Sequence, residues 1–488
     1  MKKITRYTRV FVSGNFYLLH PGHIRFLNFA SELGDELIIG VDPSIPSDEF
    51  PSAEERIEAL ESLGIASSVV SLDDGLEATI KRFKPMVVVK GKEYAGRSNV
   101  EEAIVAQWGG KVVFSSGEST YFEEHLIASS KRKRGSSIVR VDDYLKRHKC
   151  DMDRLESFVD RFSELKVLII GDTIIDEYVE CDVLGMSRED PTIVVSPRKS
   201  RKFLGGAGIV AAHASALGAT VRFTSLIGDD DAGVFASSQL ADFQVSPDLV
   251  VDESRPTTLK VRYRADGRTM FRVSHLRQHE ASPKLQAQLI EIAASRISNS
   301  DLVVFSDFNY GCLPTPVSSK LVAVAKRAGA FVAADSQSSS QVGDISRFYG
   351  ADLVTPTEYE ARLALRDQLS GLSIIAPSLL QHLDASRALV TLGKSGLLAI
   401  EVDQEALGGY RSDSLPALNQ VPVDVAGAGD SVLVVSAMAL KLGANLYEAA
   451  FLGSLAAAIQ TSRVGNIPIR RIELLASLQT YLRERELA

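Results

Sequence analysis

The chain has 488 residues, 45% of them hydrophobic and 24% charged, with a formal net charge of −8. That length exceeds one ordinary core and favours more than one domain. The acidic balance excludes a general nucleic-acid binder, which carries a basic surface. Its three cysteines, Cys150, Cys181 and Cys312, form no CxxC pair, so neither a disulfide framework nor a zinc site is expected. The N-terminus has no apolar signal region, and no apolar run is long enough to span a membrane. A cytoplasmic chain without membrane or nucleic-acid partners is the expectation.

In chain order, residues 8–13, 36–41, 68–72, 86–89 and 112–115 read as short apolar strands, with helical spacing at 22–33 and 54–63. Buried strands separated by helices predict a parallel sheet covered on both faces. The texture changes at SSKRKRGSS, where the basic run 131–134 is read as a solvated linker, followed by a helical stretch to Phe162. The expected divisions are a first domain at 1–130, a linker and helix at 131–163, and a second domain at 164–488. The second domain opens with LKVLIIGD and has strand candidates at 221–226, 302–306, 331–334, 353–355 and 388–392. Residues 257–274 alternate charged and apolar side chains, which predicts a strand pair outside the main sheet.

Two segments carry chemistry. In GNFYLLHPGHIRFL, residues 14–27, a strand gives way to a helix with His20 and His23 three residues apart. Both imidazoles can then face one site near the helix start, with Pro21 suited to the first turn. A helix N-terminus beside two imidazoles suits nucleotidyl transfer, in which charge builds on the α-phosphate and the departing pyrophosphate. In DVAGAGDS, residues 424–431, Gly427, Ala428 and Gly429 let backbone N–H groups converge on a phosphate oxygen at a helix start. Asp430, just inside that turn, is placed to accept the proton of an attacking hydroxyl.

Around the first segment stand LGDELIIGV, the EERIEAL helix with Arg56, VVVKGKEY, and Ser119–Thr120. With these the first domain resembles the cytidylyltransferase-like superfamily, and within it the adenylyltransferase half of the bifunctional heptose kinase/adenylyltransferases. The resemblance implies that Gly14, Phe16, Lys90, Gly91, Ser119 and Thr120 line the nucleotide site, beside His20 and His23. Arg56, taken by itself, reads as a surface arginine. One departure is Tyr17, where the family has Asp.

The second domain contains, in order, IIGDTIIDEY, FLGGAGIVAAHASALGA, SLIGDDDAG, SDFNYG, VTPTEYEA, VTLGKSG and the GAGD turn. This set resembles the ribokinase-like (PfkB) carbohydrate kinases, and MSREDP and TTLKVRYR are similar to segments of the heptose kinase half. The resemblance implies Asp430 as catalytic base with Gly427, Ala428 and Gly429 as anion hole. It further implies Asp172, Asp176, Gly205, Gly206, Lys260 and Arg262 around the sugar. Lys394 and Gly396 would lie near ATP, and Glu360 would order Mg2+ through water. Departures fall where substrate identity is set: Ile209 for an Asn, Tyr310 for a Lys, Gln337 for a Lys and Thr357 for an Asn.

The expected fold is therefore α/β: a Rossmann-like nucleotidyltransferase domain, then a ribokinase-like α/β domain with a small β lid. The implied activity is ATP-dependent phosphorylation of a sugar, heptose-type or related, at its anomeric hydroxyl. ATP or CTP would then donate a nucleotidyl group to the sugar 1-phosphate. The domain order is the reverse of the heptose fusion. Two alternatives stay open, an active kinase with a regulatory N-terminal domain and a non-catalytic sugar-nucleotide binder. By resemblance, the partners are a sugar or sugar phosphate, nucleoside triphosphates and a second copy in a homodimer.

Overall fold

The computed structural model describes residues 8–16, 21–31, 33–44, 52–91, 99–115, 141–187, 190, 192–265, 268–338, 342–406 and 408–486. The chain divides into two compact units, Met1–Gly135 and Ser136–Ala488.

In the first unit five strands form one parallel sheet: β1 (Arg9–Gly14), β2 (Glu36–Val41), β3 (Ser68–Ser71), β4 (Val87–Gly91) and β5 (Lys111–Ser115), in the order β3-β2-β1-β4-β5. Alternate side chains of β1 serve opposite faces: Val10 and Val12 join one apolar cluster, and Phe11 joins the other. The order reverses between β1 and β4, so the turn leaving β1 opens at a topological switch point, where such sheets hold ligands. The helices Leu76–Phe83 and Val100–Val105, which the sequence reading passed over, are short covers for the second face.

The second unit is built on β6 (Lys166–Gly171), β7 (Thr173–Met186), β8 (Ile193–Gly206), β9 (Thr220–Ile227), β10 (Ser246–Val251), β11 (Thr258–Ala265), β12 (Arg268–His275), β13 (Leu302–Asp307), β14 (Phe331–Ser336), β15 (Leu353–Val354), β16 (Arg387–Thr391), β17 (Leu397–Val402) and β18 (Tyr410–Leu415). Nine of these make the main sheet, ordered β10-β9-β6-β13-β14-β15-β16-β17-β18 and parallel except for β17 and β18. Val167 and Ile169 of β6 point into one core, and Leu168 and Ile170 into the other. Here the switch point lies between β6 and β13.

The remaining four strands form a separate sheet, β12-β11-β7-β8. The strand pair expected at 257–274 is β11 and β12, and the longer β7–β8 hairpin joins it. Lys260 lies opposite Asp176, and Arg262 opposite Tyr178. With a period of two, Asp176, Tyr178, Lys260 and Arg262 therefore share one face. Beyond Cys181 the hairpin is exposed, with Leu184 and Met186 in water.

The stretch 131–163, read as linker and helix, belongs from Val141 onward to the core of the second unit. Tyr144, Leu155, Phe158, Val159 and Phe162 are buried there. Arg147 and His148 both reach Asp413 at 2.7 Å, and the Val141 N–H donates to Tyr481. Among the described residues no helix is long and apolar enough to cross a membrane.

Candidate active site

The turn after β1 is tight. Phe16 adopts a left-handed φ of 49°, and a Cβ on Gly14 would lie 3.1 Å from its ring. The Phe16 ring packs edge-on against His23, centroids 5.3 Å apart, so the imidazole is held at the start of the helix Pro21–Ser31. Lys90, at the end of β4 beside Gly91, pairs with the buried Glu101 at 2.6 Å. His20, Tyr17, Ser119 and Thr120 lie outside the described residues.

Arg56 is not a surface residue. It is only 2% exposed, and its guanidinium donates to the carbonyls of Asn15 at 2.6 Å, Asp42 at 2.8 Å and Ser52 at 3.1 Å. Carbonyls at the ends of β1 and β2 converge where a helix face meets them, and a five-donor cation satisfies several at once. Arg56 thus ties the end of β1 to the end of β2 and to its own helix start.

In the second unit, Gly427 caps the helix Ala428–Lys441 with φ 75°, and a Cβ there would lie 2.6 Å from Asn466 Oδ1. Nothing lies within 4 Å of a Cβ built on Gly429, so this side of the turn is open. The Ala428 N–H donates to the Val425 carbonyl at 3.4 Å, and first-turn N–H groups such as that of Gly429, which have no carbonyl partner in the helix, suit an anion. Asp424 holds the turn: it accepts from the Ala426 N–H at 3.1 Å, the Gly465 N–H at 3.0 Å and the Tyr178 hydroxyl at 2.7 Å.

Asp430 is buried two residues inside that helix, and Gln337 Nε2 donates to its Oδ1 at 3.0 Å. Burial, then the negative charge of Asp176, pushes its carboxyl up to about 7, against the opposing pull of Lys260 and the Gln337 amide. A carboxyl titrating near neutrality suits a general base.

Facing it, Asp176 pairs with Arg262 and accepts from Asn466 Nδ2 at 3.1 Å. The Lys260 ammonium lies over the rings of Phe308 and Tyr310, 5.4 and 5.1 Å from their centroids. Gly205 is required by close approach, since a Cβ there would sit 2.4 Å from Asp176 Oδ2. Gly206 takes φ 56° and abuts the Asp172 carbonyl. Asp172 is occupied otherwise than by a sugar: its carboxylate accepts from the N–H groups of Phe308 at 2.8 Å, Tyr310 at 3.3 Å and Cys312 at 3.1 Å. It organises the loop after β13. Ile209 is fully buried in the helix Ala207–Ala216, away from any polar role, and the Tyr310 hydroxyl is buried without a protein partner.

Of the residues expected near ATP, Lys394 is exposed on the turn after β16, and a Cβ on Gly396 would lie 2.0 Å from the Leu415 carbonyl. Glu360 is engaged locally. It completes a capping box with Thr357 and accepts from the Ser338 N–H at 2.6 Å. Beside it Asp335 Oδ1 is a buried acceptor with no protein partner. Burial, reinforced by Glu360 and Asp430, pushes the Asp335 carboxyl well above its ordinary range. An orphaned carboxylate oxygen among like charges fits a hydrated magnesium ion.

Sequence reasoning missed Asn466 and Arg347, and treated Gln337 only as a lost lysine. Arg347 pairs with Asp307 at 3.2 Å and also donates to Asn309. Asn466 had a local signal, a Gly-Asn step a few residues past the apolar helix Leu446–Thr461. Nothing local marks Arg347.

Residues 164–471 match the profile of the pfkB family of carbohydrate kinases, and residues 11–104 that of the cytidylyltransferase-like family. The chain belongs to the pfkB carbohydrate kinase family. Among curated proteins, the bifunctional protein HldE of Desulfatibacillum aliphaticivorans is 33% identical over 335 residues, 67% of this chain and 66% of that protein. HldE of Rhodopseudomonas palustris (strain HaA2) is 31% identical over 329 residues, 66% of this chain and 65% of that one. The chain thus spans just under two thirds of the length of these relatives. Among solved structures, phosphofructokinase-2 of Escherichia coli with substrates and products superposes with a TM-score of 0.54 at 17% identity, covering 65% of this chain and all of that one. Arabidopsis thaliana ribokinase with ribose and ATP gives 0.50 at 19%, covering 64% and 99%. These two share the pfkB fold with the second unit.

Proposed function

We propose that this pfkB chain activates a sugar in two steps. The second unit transfers the γ-phosphoryl group of ATP to the anomeric hydroxyl of a sugar, heptose-type or related. The first unit then transfers a nucleotidyl group from ATP or CTP to the sugar 1-phosphate. The observation that carries the reading is Asp430, buried at the open Gly427–Gly429 turn and facing Asp176 and Lys260.

In the first step Asp430 takes the hydroxyl proton as the sugar oxygen bonds to the γ-phosphorus and the bond to ADP breaks. The N–H groups at Gly427, Ala428 and Gly429 receive the charge that develops on the phosphoryl oxygens. Asp176, Gly205 and Gly206 orient the sugar, with Lys260 and Arg262 at the lid face. Lys394 and Gly396 border ATP. Glu360 and Asp335 would hold magnesium through water, and that ion supplies charge neutralisation to the triphosphate. In the second step an oxygen of the sugar phosphate attacks the α-phosphorus and pyrophosphate leaves. His20 and His23 stabilise that charge, and Gly14, Phe16, Lys90, Gly91, Ser119 and Thr120 seat the nucleotide.

Charge balance favours an unphosphorylated sugar. Arg262 is matched by Asp176 and Arg347 by Asp307, while Lys260 is caged by aromatic rings near Asp430. A sugar phosphate would need further positive charge. We propose that the transferase lies within 1–130 and that the kinase, expected at 164–488, also takes in the helices from Val141 that share its core; we further propose a cytoplasmic chain and a homodimer.

The test is incubation with ATP, CTP, Mg2+ and a panel of sugars and sugar 1-phosphates, followed by mass spectrometry and phosphorus NMR. Asp430→Asn is expected to abolish sugar phosphorylation, and His23→Ala to abolish pyrophosphate release while leaving the kinase intact. Phosphorylation that survives Asp430→Asn sinks the kinase assignment. Because Tyr17 departs from the family's Asp, a wild-type chain that phosphorylates sugar yet releases no pyrophosphate would make the first unit a regulatory nucleotide-binding module.

A further inference from the structure

Gln337 leaves the end of β14 with almost no freedom. Its N–H donates to the Asp307 carbonyl at 2.8 Å, and its own carbonyl accepts from Asn309 Nδ2 at 3.2 Å. Asn309 takes a left-handed φ of 61° and is gripped by Arg347. On either side, the Ser336 hydroxyl donates to Asp307 at 2.7 Å and the Ser338 N–H to Glu360 at 2.6 Å. Three successive residues are therefore fastened, and the middle one presents an amide whose Nε2 meets Asp430 Oδ1 at 3.0 Å. Backbone fastened in this way fixes the point from which the Gln337 side chain reaches Asp430, so less freedom is lost when the amide holds its partner.

We infer that Gln337 is the positioning residue for the catalytic base: it occupies Oδ1 of Asp430 and thereby turns Oδ2 toward the acceptor hydroxyl. The inference rests on the kinase reading above. The amide takes the place of a cation expected by resemblance. A lysine would neutralise Asp430, whereas an amide orients it and leaves its charge available to take a proton.

The groups facing Asp430 are few. Asp176 on β7 and Asp335 on β14 oppose its charge, Lys260 on β11 favours it, and the Gln337 amide donates to it and also serves Asp335. Removing the amide leaves Lys260 alone against two carboxylates, so the base is held protonated to higher pH. A role confined to loop stability would lower the rate at every pH in proportion and leave the titration where it was.

The experiment uses the full-length chain with ATP, Mg2+ and an unphosphorylated manno-heptose, comparing wild type, Gln337→Leu, Gln337→Lys and Asp430→Asn. Gln337→Leu is expected to move the acidic limb of kcat upward by about one unit, a roughly tenfold loss at pH 6.5. That loss should be largely recovered at pH 9, with the sugar KM little changed. Gln337→Lys is expected to move the limb downward. Infrared difference titration of the protein alone, with Asp430→Asn identifying the signal, should show the same two shifts of the Asp430 carboxyl. An unmoved carboxyl titration in both variants overturns the positioning role, whatever the kinetics. Turnover in Asp430→Asn, or none in wild type, overturns the kinase reading instead, and the infrared titration still decides the contact.

Discussion

Asp430 couples the chemistry of the second unit to its stability. Its carboxyl is pushed up to about 7 in the folded chain, chiefly by burial, whereas an unfolded aspartate titrates near 4. Between those values the folded chain keeps a proton that the unfolded chain has released, so stability falls as pH rises from about 4 to 7. Asp430→Asn removes that cost. Urea unfolding followed in the second unit should find the variant more stable than wild type at pH 8, with the gap closing toward pH 4. A gap that widens on acidification would show the sign to be wrong. At Arg56 the expectation is loss: Arg56→Met strips donors from several buried carbonyls and should cost the first unit about 2–4 kcal/mol. A thermal melt of the first unit reads that cost, and sugar phosphorylation by the second should be unchanged.

Elements were legible in the sequence where turns demand special residues. The glycines at 205, 206 and 427 mark close approaches or positive φ angles that other residues do not fit, so the motifs around them pointed to the right strand ends. The β7–β8 hairpin was not read because period-two alternation needs one buried face, and its outer half has none. Asp172 shows the limit at a single position: its carboxylate serves a loop more than a hundred residues away, which no local pattern encodes. Thr357 is the converse. Read as a lost metal-site asparagine, it is the N-cap of the helix Glu358–Leu365, and the Thr-x-x-Glu spacing that says so is plain in the chain. Thr357→Ala should cost about 1 kcal/mol. By releasing Glu360 it should also raise the Mg2+ concentration needed for half-maximal kinase rate, while Thr357→Asn keeps the cap and the wild-type requirement.

For the molecule as a whole, the kinase fold begins before its family profile does. A chain starting at residue 164 lacks Tyr144, Leu155, Phe158, Val159 and Phe162, all buried in the same core as β6. It should be recovered largely insoluble, or melt well below a chain starting at 136, as expression and calorimetry of the pair would show. Equal stability of the two would mean that the segment is an ornament. In the sequence this stretch reads as a helix after a linker rather than as core, because its apolar positions are spread over two short helices.

The hairpin β7–β8 has one further consequence. Each strand is 14 residues long, and the inner ends carry Asp176 and the Gly205–Gly206 pair, while Leu184 and Met186 stand in water at the far end. Strand pairing runs from one end to the other, with register shifts after Glu180 and after Val183, so a ligand seated at the inner end is expected to be felt at the tip. A spin label at residue 184 gives a reporter of occupancy that touches no catalytic atom.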